Sequence, residues 1–236
     1  MKLLAFDTST EQLSVAVRNG AVLVEHTGAG GPQSSATLIP VAMDLLDQAG
    51  LSTGELDAIV FGRGPGSFTG LRTACSVAQG LAFGAAPPAG VPVLAVDTLM
   101  ILAEMARLQN GATQVLAMLD ARMDEVYSAA YAWDGDSVPS WTPVQGVRVS
   151  KPEDLVLPES SGWTLAGNAN AAYGERFPAA LKALPFLEML PVATALLSLA
   201  PALLSAGHAV PADQALPLYI RDKVAQTTAE RAAAGR

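Results

Sequence analysis

The stretch from Asp57 to Gly84 limits the fold of this chain more than any other. Ala58 to Phe61 is a short apolar run that ends in three glycines within five residues, Gly62, Gly64 and Gly66. Ser67 then stands where a helix N-cap belongs, and Phe68 to Phe83 carries apolar residues at helical spacing. The pattern predicts a buried strand, a tight glycine turn and a helix N-terminus, which together aim several backbone N–H groups at one point. Such a turn either binds an anion or docks closely against another segment, and these residues alone do not choose between the two.

Around this unit the chain reads as α/β. Leu3–Phe6, Leu13–Val17 and Ala21–Glu25 are expected strands, the last two joined through Asn19-Gly20, a two-residue hairpin signal. A loop is expected from Gly28 to Ser35, then an amphipathic helix from Thr37 to Ala49 closed by Gly50. A strand at Val93–Val96 and a helix from Thr98 to Leu108 follow the glycine turn. From Val115 the same grammar restarts, with Asp120 in the place of Asp7: a strand reaching an Asp, a polar turn, and a returning strand that ends near a glycine. A duplication and two unrelated hairpins both fit this pattern. The boundary is placed at Asn110–Gln114, giving a first lobe at 1–110, a smaller second lobe at 111–223 and a weakly patterned tail at 224–236.

Composition narrows the function classes. Half the residues are hydrophobic and 15% are charged, against roughly 25% charged in an average soluble domain, so apolar surface covered by a partner is expected. The uncharged windows Thr73–Val96 and Met189–Ala212 are broken by Pro and Gly, and the second carries a core-facing stripe at Leu196, Leu197, Ala200, Leu203 and Leu204; no spanning helix is expected. Four apolar residues between Lys2 and Asp7 fall short of the ~7–15 of a signal-peptide apolar region. A single cysteine, Cys75, makes no internal disulfide, so a cytoplasmic location is expected. The net charge is −8, with four lysines and ten arginines spread thinly. That balance argues against an unaided grip on a phosphate backbone, the nearest cluster being Arg221, Lys223, Arg231 and Arg236. His26 and His208 are the only histidines, and no H-x-x-x-H, H-E-x-x-H or C-x-x-C occurs. No metal site of ordinary type and no Ser-His-Asp protease is therefore expected.

Four blocks carry a resemblance: L-L-A-F-D-T-S-T at Leu3–Thr10, G-R-G-P-G-S-F-T-G-L-R at Gly62–Arg72, L-D-A-R-M-D-E-V-Y at Leu119–Tyr127 and P-L-Y-I-R-D-K-V-A at Pro217–Ala225. In this order they resemble the TsaB (YeaZ) family, whose members act in threonylcarbamoyladenosine (t6A) modification of tRNA. The match is weakest from Ala132 to Leu190. The resemblance implies an ASKHA-like fold, the duplicated two-lobed plan of actin, hexokinase and Hsp70, here with a shortened second lobe. It also implies a non-catalytic scaffold for TsaD, which transfers threonylcarbamoyl to the adenosine 3′ of the anticodon. TsaD would be the direct partner, TsaE would join the complex, TsaC would supply the adenylate, and tRNA would be met only through the complex. Alone, the chain would homodimerise. No intrinsic cofactor is implied, though ATP or ADP at the complex interface is compatible with the family. TsaD holds a metal with a His-x-x-x-His motif that this chain lacks. Relatives often carry a histidine near the start of the first helix, where this chain has Ser34.

Three constellations are candidate sites. Asp7, Thr8, Ser9 and Thr10 are a candidate phosphate loop, and Gly64, Gly66, Ser67 and Thr69 of the glycine turn are candidates for the same role; the alternative is that Asp7 accepts backbone N–H bonds from its own turn. The loop's usual glycine is absent. Asp120, Arg122, Asp124 and Glu125 place four charges in six residues, either for acid–base work at a cleft or as a self-neutralised turn. The two first-lobe helices are expected to pair with partner helices as a four-helix bundle, as the resemblance implies, through Leu38, Val41, Ala42, Leu45 and Leu46 and through Leu71, Ala74, Cys75, Val77 and Ala78. A stand-alone ASKHA kinase or ATPase is the competing reading.

Overall fold

Leu3-Leu4-Ala5-Phe6 offers water no polar side chain, so this segment must be covered on both faces. It becomes the middle strand of a sheet, with Leu3 and Ala5 in one core and Leu4 and Phe6 in another. The computed structural model describes residues 1–85, 90–135 and 141–221. The first half contains β1 (Lys2–Asp7), β2 (Gln12–Asn19), β3 (Val22–Ala29), α1 (Ser34–Gln48), β4 (Ala58–Gly64), α2 (Phe68–Ala85), β5 (Val93–Asp97) and α3 (Thr98–Asn110). The second contains β6 (Gln114–Arg122), β7 (Glu125–Trp133), β8 (Trp141–Ser150), β9 (Thr164–Gly167), α4 (Ala169–Tyr173), α5 (Ala179–Lys182), β10 (Phe186–Glu188) and α6 (Ala193–Ser205).

The two sheets have one topology. Their strand orders are β3-β2-β1-β4-β5 and β8-β7-β6-β9-β10. In each, the first three strands pair antiparallel and the last two join in parallel. This correspondence supports the duplication and the ASKHA-like architecture. The halves differ in their helices: where α1 stands between β3 and β4, only a short 3-10 turn at Pro152–Asp154 lies between β8 and β9.

The elements stack in layers. α1 and α2 cover the outer face of the first sheet, while α3 and α6 lie between the sheets in a core to which both contribute. α6 crosses back from the second half to pack on β1, β2 and β4, so the lobes share their largest core. Leu116, Met118, Trp163, Phe177 and Leu181 close the far side.

Several expected boundaries shift. The first hairpin pairs Asn19 with Val22, so Gly20-Ala21 make the turn, with Gly20 at φ 59°. β3 runs on to Ala29 and α1 begins at Ser34, which shrinks the expected loop. Gly111, at φ 69°, caps α3 and precedes the second sheet. The expected tail 224–236 lies outside the described residues. Among the described residues, no helix is long and apolar enough to cross a membrane.

Candidate functional site

The Asp7 turn and the glycine turn dock on one another, which decides between the two readings of the glycines. Asp7 Oδ1 accepts the backbone N–H of Ser9 at 2.9 Å and its hydroxyl at 2.7 Å. Thr8 Oγ1 donates to the Gly70 carbonyl at 2.8 Å, and Ser67 N donates to the Ser9 carbonyl at 2.6 Å. A Cβ on Gly62 would stand 1.8 Å from Asp7 Oδ2, one on Gly66 2.4 Å from the Ser9 carbonyl, and one on Gly70 1.8 Å from the Thr8 carbonyl. The glycines therefore permit a backbone-to-backbone approach. The Ser67 N–H that an anion would need is already used, and Asp7 and Thr8 are buried behind the turn.

A cleft of about 680 Å³ opens in front of these turns. Ser9, Thr10, Gly66 and Ser67 line it from the first half, and Asp120 and Arg122 from the second. Asp7, Thr8, Gly64, Thr69, Asp124 and Glu125 do not line it, so the expected phosphate loop is only half present. Residues the sequence did not flag complete the walls. Arg72 lies 3.7 Å over the Phe68 ring and donates to the Tyr219 hydroxyl at 3.2 Å. The i, i+4 spacing of Phe68 and Arg72 was the available signal. Tyr219 comes from 147 residues away.

The charged cluster neutralises itself. Asp120 Oδ1 accepts Arg122 N at 2.7 Å and the Tyr173 hydroxyl at 2.9 Å, while Arg122 Nη1 meets Asp120 Oδ2 at 3.0 Å. Asp124 pairs with Arg176 at 2.9 Å and Glu125 with Arg221. These carboxylates serve the β6–β7 hairpin and leave no free acid–base pair. That hairpin pairs Arg122 with Glu125, and its residues Arg122, Met123 and Asp124 have φ of 61°, 57° and 60°. A two-residue turn of this twist requires positive φ at its centre; without glycine the cost is roughly 1 kcal/mol per residue.

Asp7 is a buried acid with Oδ2 unpartnered. Burial outweighs the two Ser9 hydrogen bonds and raises its pKa from 3.8 to about 6. Between these values the folded chain holds a proton that the unfolded chain has released. Asp7's contribution is thus most favourable below pH 3.8 and declines until about pH 6, a loss of about 3 kcal/mol at most. Asp7→Asn keeps the acceptor for Ser9 and cannot ionise. The stability of D7N relative to the parent should therefore rise from pH 4 to pH 6.5 and then level off; a flat difference in urea titrations would refute the assignment.

The expected interface residues are mostly core. Leu38, Ala42, Leu45, Leu46, Leu71, Ala74, Cys75 and Ala78 are buried within the isolated chain, and only Val41 and Val77 reach partway to the surface. The most apolar positions of both helices are those that face the sheet. The outward side of α1 presents Ile39, Pro40 and Met43, and that of α2 presents Ser76 and Gly80 beside half-buried Val77 and Leu81. Ser34 is also buried, with its hydroxyl unpartnered. Among the described residues, no three His, Cys, Asp or Glu stand close enough to share a metal ion.

Comparison with known proteins places this geometry. Residues 29–233 match the family described as TsaD, tRNA N6-adenosine threonylcarbamoyltransferase. The chain is 36% identical to the tRNA threonylcarbamoyladenosine biosynthesis protein TsaB of Escherichia coli (strain K12), covering 95% of this chain and 96% of that protein. It is 32% identical to the protein of the same name from Haemophilus influenzae, over 95% of each. The solved structure of YeaZ from Pseudomonas aeruginosa superposes with a TM-score of 0.84 at 41% identity, over 92% of this chain and 99% of that one. With the four sequence blocks, the matching topology of the two sheets and coverage of more than nine-tenths of the chain in agreement, the chain belongs to the TsaB (YeaZ) family.

Proposed function

We propose that this chain acts in tRNA t6A biosynthesis as a non-catalytic, partner-binding subunit in the cytoplasm. The biosynthetic role follows from its near full-length kinship with TsaB proteins. The non-catalytic assignment rests chiefly on one observation: the polar groups that a reaction would need are spent inside the fold. Asp7 Oδ1 closes its own turn on Ser9, Thr8 and the Ser67 N–H join the two turns, and Asp120 and Arg122 pair with each other.

The direct partner is TsaD, with TsaE joining the complex and tRNA engaged only through it. The first lobe, 1–110, supplies the contact through the outward sides of α1 and α2. There Ile39 and Met43 form an exposed apolar pair, and Ser76 and Gly80 are small enough to let a partner helix approach closely. Without TsaD, the same side joins two copies of the chain. A second reading, a stand-alone nucleotide-using enzyme, draws on the 680 Å³ cleft, a volume within the range of small-molecule sites.

The test is reconstitution of tRNA, threonine, bicarbonate and ATP with TsaC, TsaD and TsaE, with and without this chain. The readout is nucleoside mass spectrometry of the digested tRNA. Modified adenosine formed only in the presence of the chain is the expected result. Equal product without it would overturn the assignment, and ATP turnover by the lone chain would favour the second reading.

A further inference from the structure

The segment from Ala215 to Arg221 follows the last helix, yet it returns across the mouth of the cleft instead of leaving the molecule. Its first end is fastened to the first half. The Ala215 carbonyl accepts Gln79 Nε2 at 2.9 Å and the Cys75 thiol at 3.3 Å, and Leu218 N donates to the Arg63 carbonyl at 2.7 Å. The Leu218 carbonyl lies 2.8 Å from where a Cβ on Gly64 would stand, so Gly64 makes room for this segment rather than for a ligand. Tyr219 then packs on Phe68, with ring centroids 5.3 Å apart. The far end reaches the second half: Arg221 Nη2 donates to the Ala121 carbonyl at 3.3 Å and to the Glu125 carboxylate. Arg221 Nη1 also lies 3.2 Å from Met123 Sδ.

We propose that residues 215–221 are an interlobe strap, latched by Arg221 on Glu125 and Ala121, which holds the β4–α2 unit and the β6–β7 hairpin at a fixed separation. Three observations converge on this. The strap makes three hydrogen bonds to the first half, through the Ala215 carbonyl and the Leu218 N–H, and reaches the second at the hairpin that carries three successive left-handed residues. That hairpin is strained, so an outside hold on its Ala121 carbonyl and Glu125 carboxylate keeps it in register. Leu218, Tyr219, Ile220 and Arg221 all line the cleft, so movement of the strap changes the width of the cavity. α3 and α6 join the lobes through a shared core, and this segment adds a second connection, across the mouth of the cleft. The strap acts through the chain's own lobes and does not depend on the partner assignment.

The experiment compares the parent chain with Arg221→Ala, Arg221→Lys and Glu125→Gln. Amide hydrogen exchange is read across Arg122–Glu125, and electron–electron distances are read between spin labels on Glu25→Cys in β3 and Val144→Cys in β8, with buried Cys75 left in place. R221A and E125Q should accelerate exchange of the hairpin amides by about tenfold, the loss of one charge-assisted contact, and broaden the distance distribution. The α1 amides should be unaffected. R221K keeps the charge but lacks the planar guanidinium whose Nη2 donates to both acceptors, and should fall between the parent and R221A. E125Q changes only the partly exposed first residue of β7, so it reports on the latch even if R221A folds poorly. Unchanged hairpin exchange and an unchanged distance distribution in E125Q would overturn the proposal. Equal acceleration throughout the chain would also overturn it, by assigning the contact to global stability.

Discussion

Glu104→Ala should lower the unfolding free energy by about 3–5 kcal/mol, the usual cost of removing one member of a buried ion pair. Glu104 sits in the middle of α3 with its side chain 1% exposed. Its Oε2 accepts Arg107 Nε and Trp141 Nε1, each at 2.9 Å; its Oε1 accepts Arg107 Nη2 at 2.7 Å and Ser198 Oγ at 2.5 Å. Arg107 also stacks 4.0 Å over Trp133, whose ring lies 5.2 Å from that of Trp141. One carboxylate thus ties α3 to β8 and α6, and its partner Arg107 adds the contact to β7. Its removal leaves the Trp141 indole N–H buried without an acceptor and Arg107 without its counter-charge. Against a total of roughly 5–15 kcal/mol for a domain, that is a large fraction.

Burial alone would raise the Glu104 pKa, but the donors Arg107, Ser198 and Trp141 outweigh it and hold the acid below its ordinary value. Its stabilisation is therefore present above the unfolded pKa and lost as pH falls through the lower folded value. The pH trend is opposite to that of Asp7. Urea unfolding followed by tryptophan fluorescence measures the effect at neutral pH. A midpoint for E104A within error of the parent would show that the cluster contributes nothing. Glu104→Met combined with Arg107→Met should recover part of the loss, because no unpaired charge then remains.

Glu104 also marks a limit of sequence reading. It is the only acid in the otherwise apolar run from Thr98 to Ala106, so an isolated charge on a core helix was visible. Its acceptance of Trp141 and Ser198 was not, because those residues arrive from the second half of the chain. The strand–turn–helix unit beginning at Ala58 was legible because its signals are local: an apolar run, clustered glycines and helical spacing. What the glycines serve was not legible, because the turn they dock against begins at Asp7, across a parallel strand pair. The same distance effect hid Tyr219 and Arg221 from any reading of the cleft. Arg122 was different. Its neutralisation of Asp120 lay within three residues, and the self-neutralised reading of that turn agrees with the geometry.

Ile39→Asp combined with Met43→Asp should weaken association with TsaD, and self-association of the lone chain, by about 100-fold or more while leaving the fold intact. The reasoning rests on where each apolar residue of α1 points. Leu38, Ala42, Leu45 and Leu46 are spent on the sheet, so Leu46→Asp would bury a carboxylate in the core and report on folding rather than on a partner. Ile39 and Met43 are 44% and 41% exposed and one helical turn apart. They form a second apolar stripe that the first sheet does not use, which a search for two stripes on α1 would have separated from the core. In the free chain, charging this stripe costs little, since exposed substitutions usually fall within about 0.5 kcal/mol. In an assembly that buries it, each carboxylate would lose its water without gaining a counter-charge. Leu23→Asp is the control: Leu23 is 46% exposed on β3 and alternates with Val24, the residue that packs in the α1 core, so it lies on the sheet face opposite α1. Sedimentation for self-association and titration calorimetry against TsaD would read the outcome, with t6A yield in the reconstitution falling in parallel. Undiminished affinity in a folded double variant would remove this side of α1 from the interface. Loss of affinity in L23D alone would move the contact to the β3 edge.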